Sequence, residues 1–200
     1  MSQTSIRFYF SFRSPYAWIA AERIEAELAD LDVGVEPVPV FPTPEQFPND
    51  PSSLEAKLAF LVQDVRRLAR DYSLTVQFPR VLDCDWSLSH AAALAAIHRG
   101  QWLPLTLALF RQRFAEGADL GDDSVLARAA EAAGTDASQV LADAHSEVLR
   151  KEAGRGWRRA GEQDGVFGVP SFIFAGKLYW GQDRMHHLKA AVQRKVTRST

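Results

Sequence analysis

The chain has one cysteine, Cys84, among 200 residues. No intramolecular disulfide can form, and no Cys/His group has the spacing of a zinc site. Charge of either sign is scarce in excess: 23 Lys+Arg against 25 Asp+Glu leave a net charge of −2. That gives no electrostatic reason to expect nucleic acid or an acidic membrane surface as a partner. No apolar run reaches the ~18 residues of a membrane span, and the N-terminus lacks a charged region followed by an apolar one. A cytoplasmic protein is therefore expected. No internal repeat or low-complexity tract interrupts the chain. The adjacent His186-His187 reads as a solvated pair and not a metal site, because neighbouring helical residues do not share a face.

What is present is a composition that is 46% hydrophobic, enough for one substantial core or one domain with a large insertion. The stretch "FYFSFRSPYAW" (8–18) carries the first local signal. Phe8, Phe10 and Phe12 alternate with Tyr9, Ser11 and Arg13, the period of a strand. Ser14 is a good helix N-cap, and Pro15 suits the first helical position because its missing N–H costs nothing there. Tyr16 to Ala29 then reads as a helix. A hydroxyl thus stands at a helix N-terminus, where free amides and partial positive charge stabilise anions. On this stretch alone Ser14 reads first as a simple cap, since most capping serines do no chemistry.

After that helix, "VGVEPVPVF" (33–41) reads as a short or edge strand because of its prolines. Four prolines make 42–53 a loop. A long helical stretch follows, with stops expected at Gly100, Gly117 and Gly134 and breaks near Gly154 and Gly156. "GVPSFIFAGKLYWG" (168–181) reads as a β-hairpin of Ser171–Phe174 and Leu178–Trp180, and "QDRMHHLKAAVQRKV" as a closing helix. The order is β-α-β, many helices, then β-β-α. Two strands joined by a helix should run parallel, and the hairpin antiparallel. This order predicts an α/β, thioredoxin-like fold, formed by 1–41 and 165–200, with a large all-helical insertion at 42–164.

Two motifs then meet. "FSFRSPYAW" has the form of a thioredoxin-fold redox loop, with Ser14 and Ala17 where C-P-x-C would place its cysteines. "GVFGVPSFIFAGKLYWGQDRM" (165–185) has a Val-Pro before a strand, the form of a cis-proline loop. Together with "AKLAFLVQDVRRLAR" (56–70), they resemble the 2-hydroxychromene-2-carboxylate isomerases and kappa-class glutathione transferases of the DsbA-like group. The resemblance runs from Phe8 to Met185. The chain departs from it at Ser11, where an acidic residue is frequent, at Phe60, where Tyr is frequent, and in "FPRVLDCDWS" (78–87). These departures fall largely on the side that should face the acceptor substrate.

The resemblance implies that the working thiolate belongs to bound glutathione, with Ser14 as the catalytic hydroxyl that stabilises it. Lowering a thiol pKa by ~2 units needs about 2.7 kcal/mol of preferential thiolate stabilisation, within reach of one hydroxyl and a helix N-terminus. By the same resemblance, Val169 and cis-Pro170 hold the peptide backbone of glutathione. Gln182 and Asp183 meet its γ-glutamyl end, Asn49 and Lys57 its glycine carboxylate. Arg13 adds positive charge or is simply solvated; Trp180 walls the site or is core. Phe12, Tyr16, Trp18 and Trp86 point to a flat, apolar substrate less than to core, where aromatics usually lie, and the resemblance implies a small-molecule aromatic substrate. A homodimer is implied in the same way.

The resemblance leaves an isomerase and a kappa-like transferase open, since both use one thiol site. A dithiol oxidoreductase conflicts with the absent cysteines. A non-catalytic binding module predicts no glutathione affinity. A serine hydrolase pairing Ser14 with His90, His98 or His145 lacks the G-x-S-x-G elbow.

Overall fold

The computed structural model describes residues 5–42, Gln46 and 53–197. Its four strands form one mixed sheet in the order β2-β1-β3-β4. Strand β1 (Ser5–Phe10) pairs in parallel with β2 (Gly34–Pro39) and antiparallel with β3 (Ser171–Phe174). Strand β4 (Lys177–Trp180) completes the hairpin. Its two turn residues, Ala175 and Gly176, have φ of 50° and 71°, the double positive φ that matches strand twist in a tight hairpin. Pro37 and Pro39 lie in β2, an outer strand of the sheet, where a missing amide is tolerated.

Helix α1 (Pro15–Leu28) connects β1 to β2. Between β2 and β3 run α2 (Glu55–Asp71), α3 (Trp86–His98), α4 (Trp102–Phe114), α5 (Asp123–Ala132), α6 (Ala137–His145), α7 (Glu147–Gly154) and α8 (Gly156–Asp164). A 3-10 turn at Gln182–Arg184 leads into α9 (Met185–Thr197). Gly100, Gly117 and Gly134 have positive φ after α4's predecessor, α4 and α5, as helix-stopping glycines should. The break after α6 was not legible as a glycine, because Ser146 makes it: its hydroxyl caps α7 by accepting from the Leu149 amide.

The main core joins the sheet to the inserted helices. Phe8, Phe10, Phe12 and Phe172 pack with Leu105, Leu109 and Phe110 of α4 and with Trp18, Ile19 and Ile24 of α1. The ring centroids of Phe8 and Phe172 are 5.0 Å apart, those of Phe12 and Phe110 4.8 Å. A second cluster covers the opposite face of the sheet: Tyr9, Val40, Trp157, Ala160, Val166 and Ile173. Strand β1 is thus buried on both faces.

The strand period expected through Arg13 ends at Phe10. The Ser11 carbonyl instead accepts from the Ser14 amide at 3.0 Å, so the chain turns where the ladder would continue. Phe12 keeps its inward position without belonging to a strand. Phe12, Trp18 and Trp86 are buried in the core, as aromatics usually are, and say nothing of a substrate.

Candidate active site

Helix α1 starts immediately beyond the centre of the sheet, and Ser14 caps it. The Ser14 Oγ accepts from the Ala17 amide at 3.2 Å and donates to the Val169 carbonyl at 3.3 Å. Val169 precedes Pro170, and the bond between them is cis. The two motifs, far apart in sequence, are therefore in direct contact. The Val169 amide has no backbone hydrogen bond among the described residues, which leaves a main-chain donor at the edge of the site.

Pro170 in turn accepts, through its carbonyl, from the Gly181 amide at 2.9 Å. This draws Gln182 and Asp183 to the same end of the sheet. Gln182 is buried, and its side-chain oxygen accepts from Arg23 at 2.7 Å. Asp183 is exposed, pairs with Arg184 and adds negative potential at the Tyr16 phenol. Both lie in the 3-10 turn, one element earlier than the start of the last helix. Lys57 is exposed in the first turn of α2, with no hydrogen bond or ion pair to another described residue. Asn49 lies outside the described residues.

Trp180 is half exposed and packs its ring against Phe167 with centroids 4.9 Å apart. It is not core. Gly168 lies beneath it: a Cβ there would come within 2.7 Å of the indole nitrogen. Glycine is needed at this position to let the indole lie over the Val169 loop.

The opposite side of Ser14 is built by the loop leading into α3. Arg13 Nε faces Asp83 at 3.6 Å. Asp83 also accepts a short hydrogen bond from the Trp86 indole. Arg113, buried in α4, donates to the carbonyls of Val81 and Leu82 at 2.9 and 2.7 Å and lies over the Trp86 ring at 4.9 Å. It clamps the loop through its backbone. Cys84 is part of this layer, its thiol pushed up to about 12, chiefly by burial. It carries no nucleophile suited to neutral pH.

Three relationships were not legible in the sequence. The Tyr16 hydroxyl donates to Asp64 at 2.9 Å, and Asp64 accepts from Arg67 at 2.9 Å. Burial, then this hydrogen bond, hold the Tyr16 phenol above its usual range. The D-x-x-R spacing was the visible trace of the second half of that chain. His90 is fully buried under the Ser14 turn, with Nδ1 2.7 Å from the Trp86 carbonyl and Nε2 3.4 Å from Ser11 Oγ. Burial depresses its pKa to about 4, so it is neutral. The third is the Arg113 clamp. No sequence signal marks His90 or Arg113, because a buried histidine and a buried arginine have no spacing of their own. None of the histidines considered for a hydrolase contacts Ser14: His98 faces Glu152, and His145 faces Asp123.

A mixed sheet with a capped helix N-terminus set against a cis-proline loop defines the thioredoxin architecture, and the chain belongs to the DsbA-like thioredoxin domain family, whose model matches residues 5–193. Its similarity becomes narrower among characterised proteins. It is 30% identical to the 2-hydroxychromene-2-carboxylate isomerase of Sphingobium xenophagum over 196 residues, covering 93% of this chain and 96% of that one. It is 27% identical to the enzyme of the same name from Pseudomonas putida, covering 94% of each chain. A solved 2-hydroxychromene-2-carboxylate isomerase superposes with a TM-score of 0.85 at 22% identity, over 98% of this chain and 97% of that one.

Proposed function

We propose that the protein is a glutathione-dependent isomerase of the 2-hydroxychromene-2-carboxylate type. The observation that carries the reading is the contact between Ser14 Oγ and the Val169 carbonyl at the N-terminus of α1. It supports a site in which one hydroxyl, one helix N-terminus and one main-chain edge converge. The residues fit a short acidic peptide with a thiol. The Val169 amide suits pairing with a peptide backbone, as an added strand would. Gln182 and Asp183 suit an α-amino acid end, and the charge of Lys57 suits the far carboxylate.

Glutathione, when bound, supplies a thiolate that adds reversibly to an activated C=C, so that rotation about the resulting single bond and elimination return it unchanged. Ser14 donates its hydroxyl proton to the thiolate as a hydrogen bond, without transferring it. The helix dipole and first-turn amides favour the same charge. Ala17 is apolar and buried, so the loop offers no protein thiol and disulfide exchange has no nucleophile there. The curated relatives act, by name, on an aromatic carboxylate; the half-exposed Phe167 and Trp180 support an aromatic substrate here. A kappa-like transferase uses the same thiol site and differs only in whether glutathione leaves with the product. Exposed Phe60 and Leu54 on α2 and before it support the homodimer.

The test is turnover of an aryl-substituted unsaturated α-keto acid, followed by absorbance with and without glutathione. Isomerisation with glutathione recovered in full is the expected result. Glutathione consumed mole for mole would make the protein a transferase. Turnover that ignores glutathione, or no calorimetric binding of it, would overturn both.

A further inference from the structure

Ser11 and His90 are 1% and 0% exposed, so neither side chain can turn to water. His90 reaches from α3 to the turn that carries Ser14. Its imidazole packs against the rings of Phe12 and Phe41, with centroids 5.0 and 4.8 Å away. Three polar groups meet its nitrogens. Nδ1 is 2.7 Å from the Trp86 carbonyl and Nε2 is 3.4 Å from Ser11 Oγ. The Val40 carbonyl is the third. Burial keeps the ring neutral, so it has one N–H and one bare nitrogen. Were Nδ1 the bare one, its lone pair would face that of the Trp86 carbonyl at 2.7 Å. The proton therefore sits on Nδ1, and Nε2 needs a donor. Of the two remaining groups, a carbonyl can only accept, so the Ser11 hydroxyl donates.

That direction decides what Ser11 does for its own turn. With its hydrogen committed to Nε2, Ser11 Oγ keeps lone pairs for the Arg13 amide, which donates to it at 3.3 Å. The Ser11 carbonyl accepts from the Ser14 amide at 3.0 Å. A serine side chain bonded two residues on, inside a turn closed three residues on, fixes the backbone twice over. The same turn sets Ser14 Oγ 3.3 Å from the Val169 carbonyl. The bonds run in one sense: Arg13 amide to Ser11 Oγ, Ser11 hydroxyl to His90 Nε2, His90 Nδ1 to Trp86 carbonyl. Trp86 is the first residue of α3, so the inserted helices reach the Ser14 turn through this chain.

We propose that Ser11 and His90 are positioning residues for Ser14: His90 orients the Ser11 hydroxyl, and Ser11 holds the 11–14 turn so that Ser14 Oγ is aimed at the thiol beside the Val169 loop. Neither residue moves a proton in the reaction. The pair acts on the thiol only through the direction of the Ser14 hydroxyl and the first-turn amides. This rests on the isomerase reading for its catalytic consequence, and not for its hydrogen-bond directions.

The first test is the ring-nitrogen chemical shifts of the full chain at neutral pH, without glutathione. They should show His90 protonated at Nδ1 and bare at Nε2, the signals being assigned by their loss in His90→Asn. The opposite tautomer overturns the proposal. The second is the thiol pKa of bound glutathione, read by thiolate absorbance. Ser11→Ala should raise it by less than the roughly one to two units of a lost Ser14 hydroxyl, because that hydroxyl remains. Turnover of the unsaturated α-keto acid should fall about three- to tenfold in kcat, with the KM for glutathione within about twofold. His90→Asn can replace the Nδ1 donor but cannot reach Ser11, so it should behave like Ser11→Ala, and the double variant no worse than either. A less stable Ser11→Ala protein with the wild-type thiol pKa and kcat overturns the proposal, as does additivity in the double variant. Should Ser11→Ala not fold, His90→Asn against His90→Gln decides, since Gln can present an oxygen where Nε2 stood: equal thiol pKa values in the two overturn it. Should the wild-type protein bind no glutathione, the isomerase reading falls, and the tautomer and the Arg13 amide decide the pair. That amide should exchange with deuterium about tenfold faster in Ser11→Ala, and exchange at the wild-type rate overturns the proposal.

Discussion

The Ser14 hydroxyl donates to the Val169 carbonyl across 155 residues of sequence, at 3.3 Å. The hydrogen that would serve a sulfur anion is thus held by a weak, long bond to the very loop that would hold the peptide. Releasing it costs little, and a charged acceptor competes well with a neutral carbonyl.

Ser14→Ala should raise the pKa of bound glutathione by roughly one to two units, the equivalent of a charge-assisted hydrogen bond of ~1.5–3 kcal/mol. The rise should stop short of the free value, because the helix N-terminus remains. Titration of thiolate absorbance in both proteins measures it. The same variant loses an N-cap worth about 1 kcal/mol in urea unfolding. An unchanged thiol pKa with only that stability loss would reduce Ser14 to a cap.

His90 makes the fold acid-sensitive. Its pKa is depressed to about 4 in the folded chain, chiefly by burial, against 6.5 in the unfolded one. Between those values the unfolded state binds the extra proton, so stability present above pH 6.5 is lost as pH falls toward 4. The full loss is about 3 kcal/mol. A His90→Asn protein, compared by urea unfolding at neutral and acidic pH, should lose less than wild type over the same interval.

Arg113→Met removes the donors to the carbonyls of Val81, Leu82 and Ala118. Each bond to a charged donor is worth ~1.5–3 kcal/mol, so a loss above about 3 kcal/mol is expected in denaturant. Cys84 should also change. Half-buried and with a raised pKa, it should react slowly with a thiol reagent in the wild type and many times faster in the variant. Equal reactivity would show that Arg113 does not hold the loop closed.

Gly168→Ala forces the Trp180 indole to move, since the new Cβ would meet it at 2.7 Å. Trp180 is half exposed and can swing outward, so stability should fall by less than about 1 kcal/mol. Glutathione affinity should fall by more than stability does, because the displaced ring lies over the Val169 loop. Tryptophan fluorescence and calorimetry separate the two effects.

Local chemistry was legible where residue types specify backbone geometry. Ser14 before Pro15 marked the helix start, Ala175-Gly176-Lys177 the hairpin turn, although Lys177 already pairs in β4, and Gly100, Gly117 and Gly134 the helix ends. The β-α-β and β-β-α order then fixed the pairing senses of the sheet. What the sequence did not show depends on distance in space. Phe12, Trp18 and Trp86 are core, which aromatic composition alone does not separate from a substrate surface, because it carries no direction. Tyr16 and Asp64 meet only when α2 docks on α1. Arg13 could be read as solvated or functional until Asp83, seventy residues on, was placed opposite it.

Strand β1 has neighbours on both edges, β2 and β3, and a buried layer on both faces. Its amides should be among the last in the molecule to exchange with deuterium, opening only when the whole chain opens. Ser14 stands four residues past its end. On heating, the protein should therefore keep its activity until the cooperative transition, and lose both together, with no earlier stage in which the chain is folded but its serine is out of place.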